Sequence, residues 1–165
     1  MKPLIYLAIA LLIFGGCSSN SKNTLKTTEE PSSVDYSEKL PEELLPLAEN
    51  GDAAAQFYLG VSYDLGQGIV QDYQAAIKWY TLAAKQGDAT AQNNLGLLYL
   101  RGQGVPQNYI QAHKWLNLSA AQGDTLAIKE RDQLAEKMTP SQLEKAQELA
   151  SQWKRKEKLS SDKPN

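Results

Sequence analysis

Nucleophilic and metal chemistry in this chain would have to start from one cysteine and one histidine among its 165 residues. Cys17 stands near the start, behind an apolar run, and His113 stands in the second half. A Cys–His or Ser–His mechanism needs its partners ordered within hydrogen-bond reach, and the chain has no Gly-x-Ser-x-Gly elbow. A metal site would need further ligands of the same kind. Gly66-Gln67-Gly68 and Gly102-Gln103-Gly104 have the glycines of a phosphate loop. Neither is followed by the Lys-Ser/Thr that grips a phosphate, and both suit a helix stop and a turn. We therefore assign no catalytic residue, no metal ligand and no cofactor, and expect His113 to be a surface or half-buried helix residue.

Charge excludes another class. The formal net charge is −2, and loss of Lys2 with an export signal would make it −3. That is no footprint for nucleic acid. The basic run of Lys154, Arg155, Lys156 and Lys158 is read first as a complement to the negative end of a helix. Contact with anionic lipid or an acidic partner is its second reading.

The elements that organise the chain are written in a repeat. Gly51-Asp52 recurs as Gly87-Asp88 and Gly123-Asp124. In the same register Gln56 falls on Gln92, Leu59 on Leu95, Gly60 on Gly96, Tyr63 on Tyr99 and Trp79 on Trp115. A period in this range marks a solenoid. Within the unit, Ala55, Leu59 and Tyr63 share one helix face. Asp52 can cap the first helix and Gly66 can end it in the left-handed conformation. Ile69 and Val105 are expected to dip into the core. Asp72 and Asn108 can cap the second helix, and Asn108 with Gln111 has capping-box spacing. Gly60 and Gly96 sit mid-helix, where glycine costs about 1 kcal/mol against alanine. Their recurrence predicts a close approach by another backbone or a Trp ring. Trp79 and Trp115 are predicted core.

This pattern of Gly-Asp-Ala-x-Ala-Gln-x-x-Leu-Gly-x-x-Tyr, Gly-x-Gly-Val/Ile and Asp/Asn-Tyr-x-x-Ala-x-Lys-Trp resembles the Sel-1-like repeat, a relative of the tetratricopeptide repeat. The resemblance covers about residues 44–154. It implies an all-α fold: a right-handed α/α solenoid of antiparallel helix pairs with capping helices at both ends. It also implies a concave face that binds other proteins, and no catalytic residues. The full units are 51–86 and 87–122, with a partial unit at 123–138. The Gly60 position there has become Asp132. Thr139-Pro140-Ser141-Gln142 opens a C-terminal capping helix over 139–158. Leu143, Ala146, Leu149, Ala150 and Trp153 give that helix one apolar stripe. The folded domain is expected over 38–158, opening with a helix at 38–50 that kinks or restarts near Pro46.

Residues 1–17 read as an export signal, with Lys2 as its positive start. The apolar run from Leu4 to Phe14 is too short to span a bilayer. Gly15-Gly16-Cys17 resembles the bacterial lipoprotein signal, which makes Cys17 the lipid attachment site. Phe14 departs from the aliphatic usual at its place. A plain secretory signal is the other reading. Residues 18–37 are polar and read as a disordered tether with a reach of about 25 Å. Residues 159–165 read as a disordered tail. Ser18 is not the aspartate that retains a lipoprotein in an inner membrane, so the expected location is the outer membrane, facing the periplasm. A secreted or periplasmic soluble protein is the alternative.

A tethered repeat scaffold without reaction chemistry is expected to grip an envelope protein. In related solenoids the first helix of each unit lines the concave face. Turned away from the core stripe there are Phe57, Tyr58 and Val61, then Asn93, Asn94, Leu97 and Arg101, a mixture suited to protein contact. Lys129 and Gln133 continue the row. An immunity or inhibitor protein against a secreted envelope-targeting enzyme would use the same surface. A cell-wall-active enzyme is the remote third reading.

Overall fold

The computed structural model describes residues 35–161, with side chains through residue 154. The signal, Cys17, most of the tether and the last four residues of the tail lie outside those residues. The described chain is helical, with no strand: α1 (Pro41–Glu49), α2 (Ala53–Leu65), α3 (Tyr73–Lys85), α4 (Ala89–Arg101), α5 (Tyr109–Ala120), α6 (Thr125–Ala135) and α7 (Pro140–Ser161). Each of α1 to α5 packs on the next, and α7 packs on α5.

The caps follow the repeat. Asp52 accepts from the Ala55 N–H at 2.9 Å, and Asp88 accepts from the Ala91 N–H at 2.7 Å. Asp124 accepts from the N–H groups of Leu126 and Ala127. Each carboxylate satisfies donors that a helix start leaves free. Asn108 caps α5 through the Gln111 N–H at 3.0 Å. Its own N–H goes to the Tyr99 carbonyl, so only half of the box forms there. Thr139 and Gln142 form the full reciprocal pair at the head of α7. Gly66 and Gly102 end α2 and α4 at φ values of 69° and 70°.

The core runs along the interior of the array. Trp79 packs with Leu44, Ala48, Ala55 and Leu59. Trp115 packs in a cluster that includes Ala76, Tyr80, Leu95 and Ala150. Both rings are buried, as expected. Ile69 and Val105 are half-buried. Gly60 and Gly96 do mark close approaches, although no Trp ring is involved. A Cβ on Gly60 would lie 2.7 Å from the Tyr80 ring, and one on Gly96 would lie 2.9 Å from Leu116 Cγ. The Trp rings are engaged elsewhere, because Trp79 reaches back to α1.

The two ends depart from expectation. The chain turns at residues 36–39 and α1 starts at Pro41, three residues later than expected. It then runs through Pro46 without restarting. Pro46 forgoes one backbone bond, while its carbonyl still accepts from Asn50 N–H at 3.2 Å. Residues 35–37 were expected in the tether, yet Tyr36 packs on the first core cluster. At the other end, α7 lies on α5 and does not close over α6. Asp132, at the position of Gly60 and Gly96, carries an exposed side chain paired with Arg131 at 2.7 Å. Leu126 and Ile128 of α6 face outward.

Candidate partner-binding surface

The seven expected contact residues fall on α2 and α4, and the structure divides them. Phe57 and Val61 are half-buried and pack against the cluster built on Tyr80 and Leu95. Phe57 sets its ring edge to Tyr58 at 5.0 Å and also meets Tyr80, at 6.0 Å. Tyr58 is half-buried beneath Tyr36, their rings stacked at 6.2 Å. Arg101 is exposed at the end of α4.

Asn93 requires a correction. It was expected on the open face, and it is 5% exposed. Leu97 lies one turn on along the same helix face. It packs into the α5–α6 cluster with Ala127 and Leu134, so that face of α4 is covered. Asn93 Oδ1 finds no hydrogen-bond partner among the described residues. Asn94, next in sequence, is half-buried and reaches the Tyr80 hydroxyl.

Two residues that the sequence did not single out complete this surface. Tyr80 is 1% exposed and its hydroxyl donates to Asp64 Oδ2 at 3.2 Å. Burial raises the Tyr80 pKa, and the Asp64 charge raises it further. Burial also lifts the Asp64 carboxyl, against the opposing pull of the Tyr80 hydrogen bond and the Arg101 charge. The signal was present in the register. Asp64 falls on Leu100, Tyr80 on Leu116, Asn94 on Tyr58 and Arg101 on Leu65. Four polar departures from the repeat thus gather between α2, α3 and α4.

His113 also requires a correction, since it is buried at 3% exposure. Its Nδ1 has no hydrogen-bond partner among the described residues. Burial lowers its pKa, the Arg131 charge lowers it further, and Asp132 opposes both.

The Sel1 repeat family model matches residues 53–88 and 89–124. Among solved structures, the chain is similar to a protective antigen present in uropathogenic Escherichia coli strains and displaying an SLR fold. The identity is 32% and the TM-score 0.68, over 76% of this chain and 28% of that one. It is also similar to a Sel1 repeat protein from Oxalobacter formigenes, at 40% identity and a TM-score of 0.53, over 55% of this chain and 37% of that one. The chain therefore spans well under half the length of either. No curated protein matches it in sequence. Residues 53–124 match two tandem Sel1 repeats, carried in an all-helical array that is similar to the SLR fold.

Proposed function

We propose that the protein is a lipid-anchored scaffold of the bacterial envelope that binds a protein partner across α2 and α4. The observation that carries this is the gathering of Asp64, Tyr80, Asn94 and Arg101, polar groups that the matching positions of the other unit do not share. A buried phenol, a half-buried carboxyl and an amide sit beside an exposed guanidinium and the aromatic pair Phe57 and Tyr58. A rigid aromatic anchor ringed by hydrogen-bonding groups is what a specific protein interface uses. Cys17 carries the lipid in this reading, and the outer membrane is the location.

Two experiments test the proposal. Metabolic labelling with an alkyne fatty acid should mark the wild-type protein and not Cys17→Ser, which should leave the membrane fraction. Envelope extract passed over the immobilised domain should yield a partner that Phe57→Ala with Arg101→Ala loses. Equal capture by that double variant would remove this surface from consideration.

A further inference from the structure

Among the described residues the array begins with the counterpart of a second helix, since in the 36-residue register Leu44 falls on Tyr80 and Ala48 on Ala84. Residues 36–40 lead into that helix. Tyr36 donates its hydroxyl to Asp52 Oδ2 at 2.6 Å and lays its ring on Tyr58. The remaining hydrogen bonds nearby are local: Lys39 N–H to the Tyr36 carbonyl, and Ser37 to Asp35. Leu40 is 52% exposed. Beneath the segment lies a cavity of about 160 Å³, lined by Tyr36, Leu40, Leu44, Tyr58, Val61 and Gly68 among others. The segment bridges this space without filling it.

We propose that residues 36–40 are a strap that opens reversibly and so controls access to Tyr58 and Val61. Among the described residues the segment is held by one tertiary hydrogen bond, one ring stack and the packing of Tyr36 on the first core cluster, beside a cavity, and such a segment belongs to the less stable part of a fold. The helices beside it are fixed by buried leucines and caps. Closed, the strap hides one side of the aromatic pair. Open, it joins the cavity to the Phe57 side of the surface. The functional sense of the strap rests on the partner-binding reading above, but its opening does not.

Hydroxyl-radical footprinting of the full chain separates the two. Tyr36→Phe keeps the ring stack and removes the bond to the Asp52 carboxylate. Loss of a charge-assisted bond should raise the open-to-closed ratio about tenfold or more. Oxidation of Tyr58 should then rise several-fold, with Tyr80 unchanged. Tyr58 oxidised at the wild-type rate would overturn the strap. So would a parallel rise at Tyr80, which would mean that α2 itself had loosened. The same two proteins go into the envelope pull-down, where the variant should capture more partner. Equal capture would overturn control of access. Capture by neither would count against the partner reading, and with it access control, while the footprint still decides whether the strap opens.

Discussion

Gly60 shows how little room the two helices of a unit leave each other. Alanine there would gain about 1 kcal/mol of helix propensity. It would also put a Cβ 2.7 Å from a Tyr80 ring that its hydroxyl holds to Asp64. Overpacking of this kind costs about 1–3 kcal/mol, so the clash wins. We expect Gly60→Ala to lower the urea midpoint, and the same change in a Tyr80→Ala background to raise it. The recurrence of Gly60 and Gly96 announced a close approach. What approaches was not legible, because Tyr80 and Leu116 differ between the two units. His113 makes the second residue-scale case. A histidine whose folded pKa is lowered contributes stability above its unfolded pKa of about 6.5, and that stability is lost as pH falls towards the folded value. Asp64, raised in the fold, acts in the opposite sense on acidification. His113→Ile, which places the residue of the first unit at that position, isolates the histidine. Between pH 7 and pH 5 the wild type should lose more stability than the variant. Equal losses in urea titrations would mean that the imidazole takes up its proton without cost.

At the scale of elements, glutamines join one unit to the next. Gln56 donates to the buried Ala48 carbonyl at 3.0 Å and accepts from Gln86 at 2.8 Å. Gln92 repeats this with the Ala84 carbonyl at 3.1 Å and Gln122 at 2.9 Å. Each first-helix glutamine thus ties the end of the preceding second helix to the end of the second helix in its own unit. Gln92→Ala should cost about 0.5–1.5 kcal/mol, since it removes one of the hydrogen bonds to the Ala84 carbonyl, which keeps its bond from the Gly87 N–H. Gln122→Ala removes an exposed donor and should cost about 0.5–1 kcal/mol. Because the two share a bond, a double-mutant cycle should show a coupling of at least about 0.5 kcal/mol; strict additivity would mean that the ladder is ornamental. The ladder stops at the third unit, where Ile128 takes the glutamine position. The matching spacing of Gln86 and Gln122 was open to reading, but spacing does not say where an amide points. The seat of α7 was hidden for a different reason. Its apolar stripe was legible from Leu143 to Trp153, but a stripe says which face is buried and not which helix covers it.

For the whole molecule, a stack of this kind is held by neighbour contacts, and its ends are its weak places. The two indoles were legible as core from one register, yet they serve different neighbourhoods. Trp79 joins α3 to α1 and α2, beside the strap. Trp115 sits in a cluster drawn from α3, α4, α5 and α7, and Trp153 meets it edge-on at 5.1 Å. Lys114 Nζ lies over both of those rings, at 4.0 Å and 4.5 Å, as Lys78 Nζ lies over Trp79 at 5.0 Å. Ala150 and Trp153 join Trp115 because α7 docks on α5, and the register could not show that difference between the two tryptophans. Either indole cut to alanine should cost about 3–5 kcal/mol. The consequences should differ in space. In Trp79→Ala, hydrogen exchange should accelerate first in α1 and α2, while α5 keeps its protection. In Trp115→Ala it should accelerate across α3, α4, α5 and α7 together, because that ring closes contacts among all four. If both variants speed exchange uniformly from α1 to α7, the array opens as a single cooperative block, and the N-terminal end has no independent freedom for a strap to use.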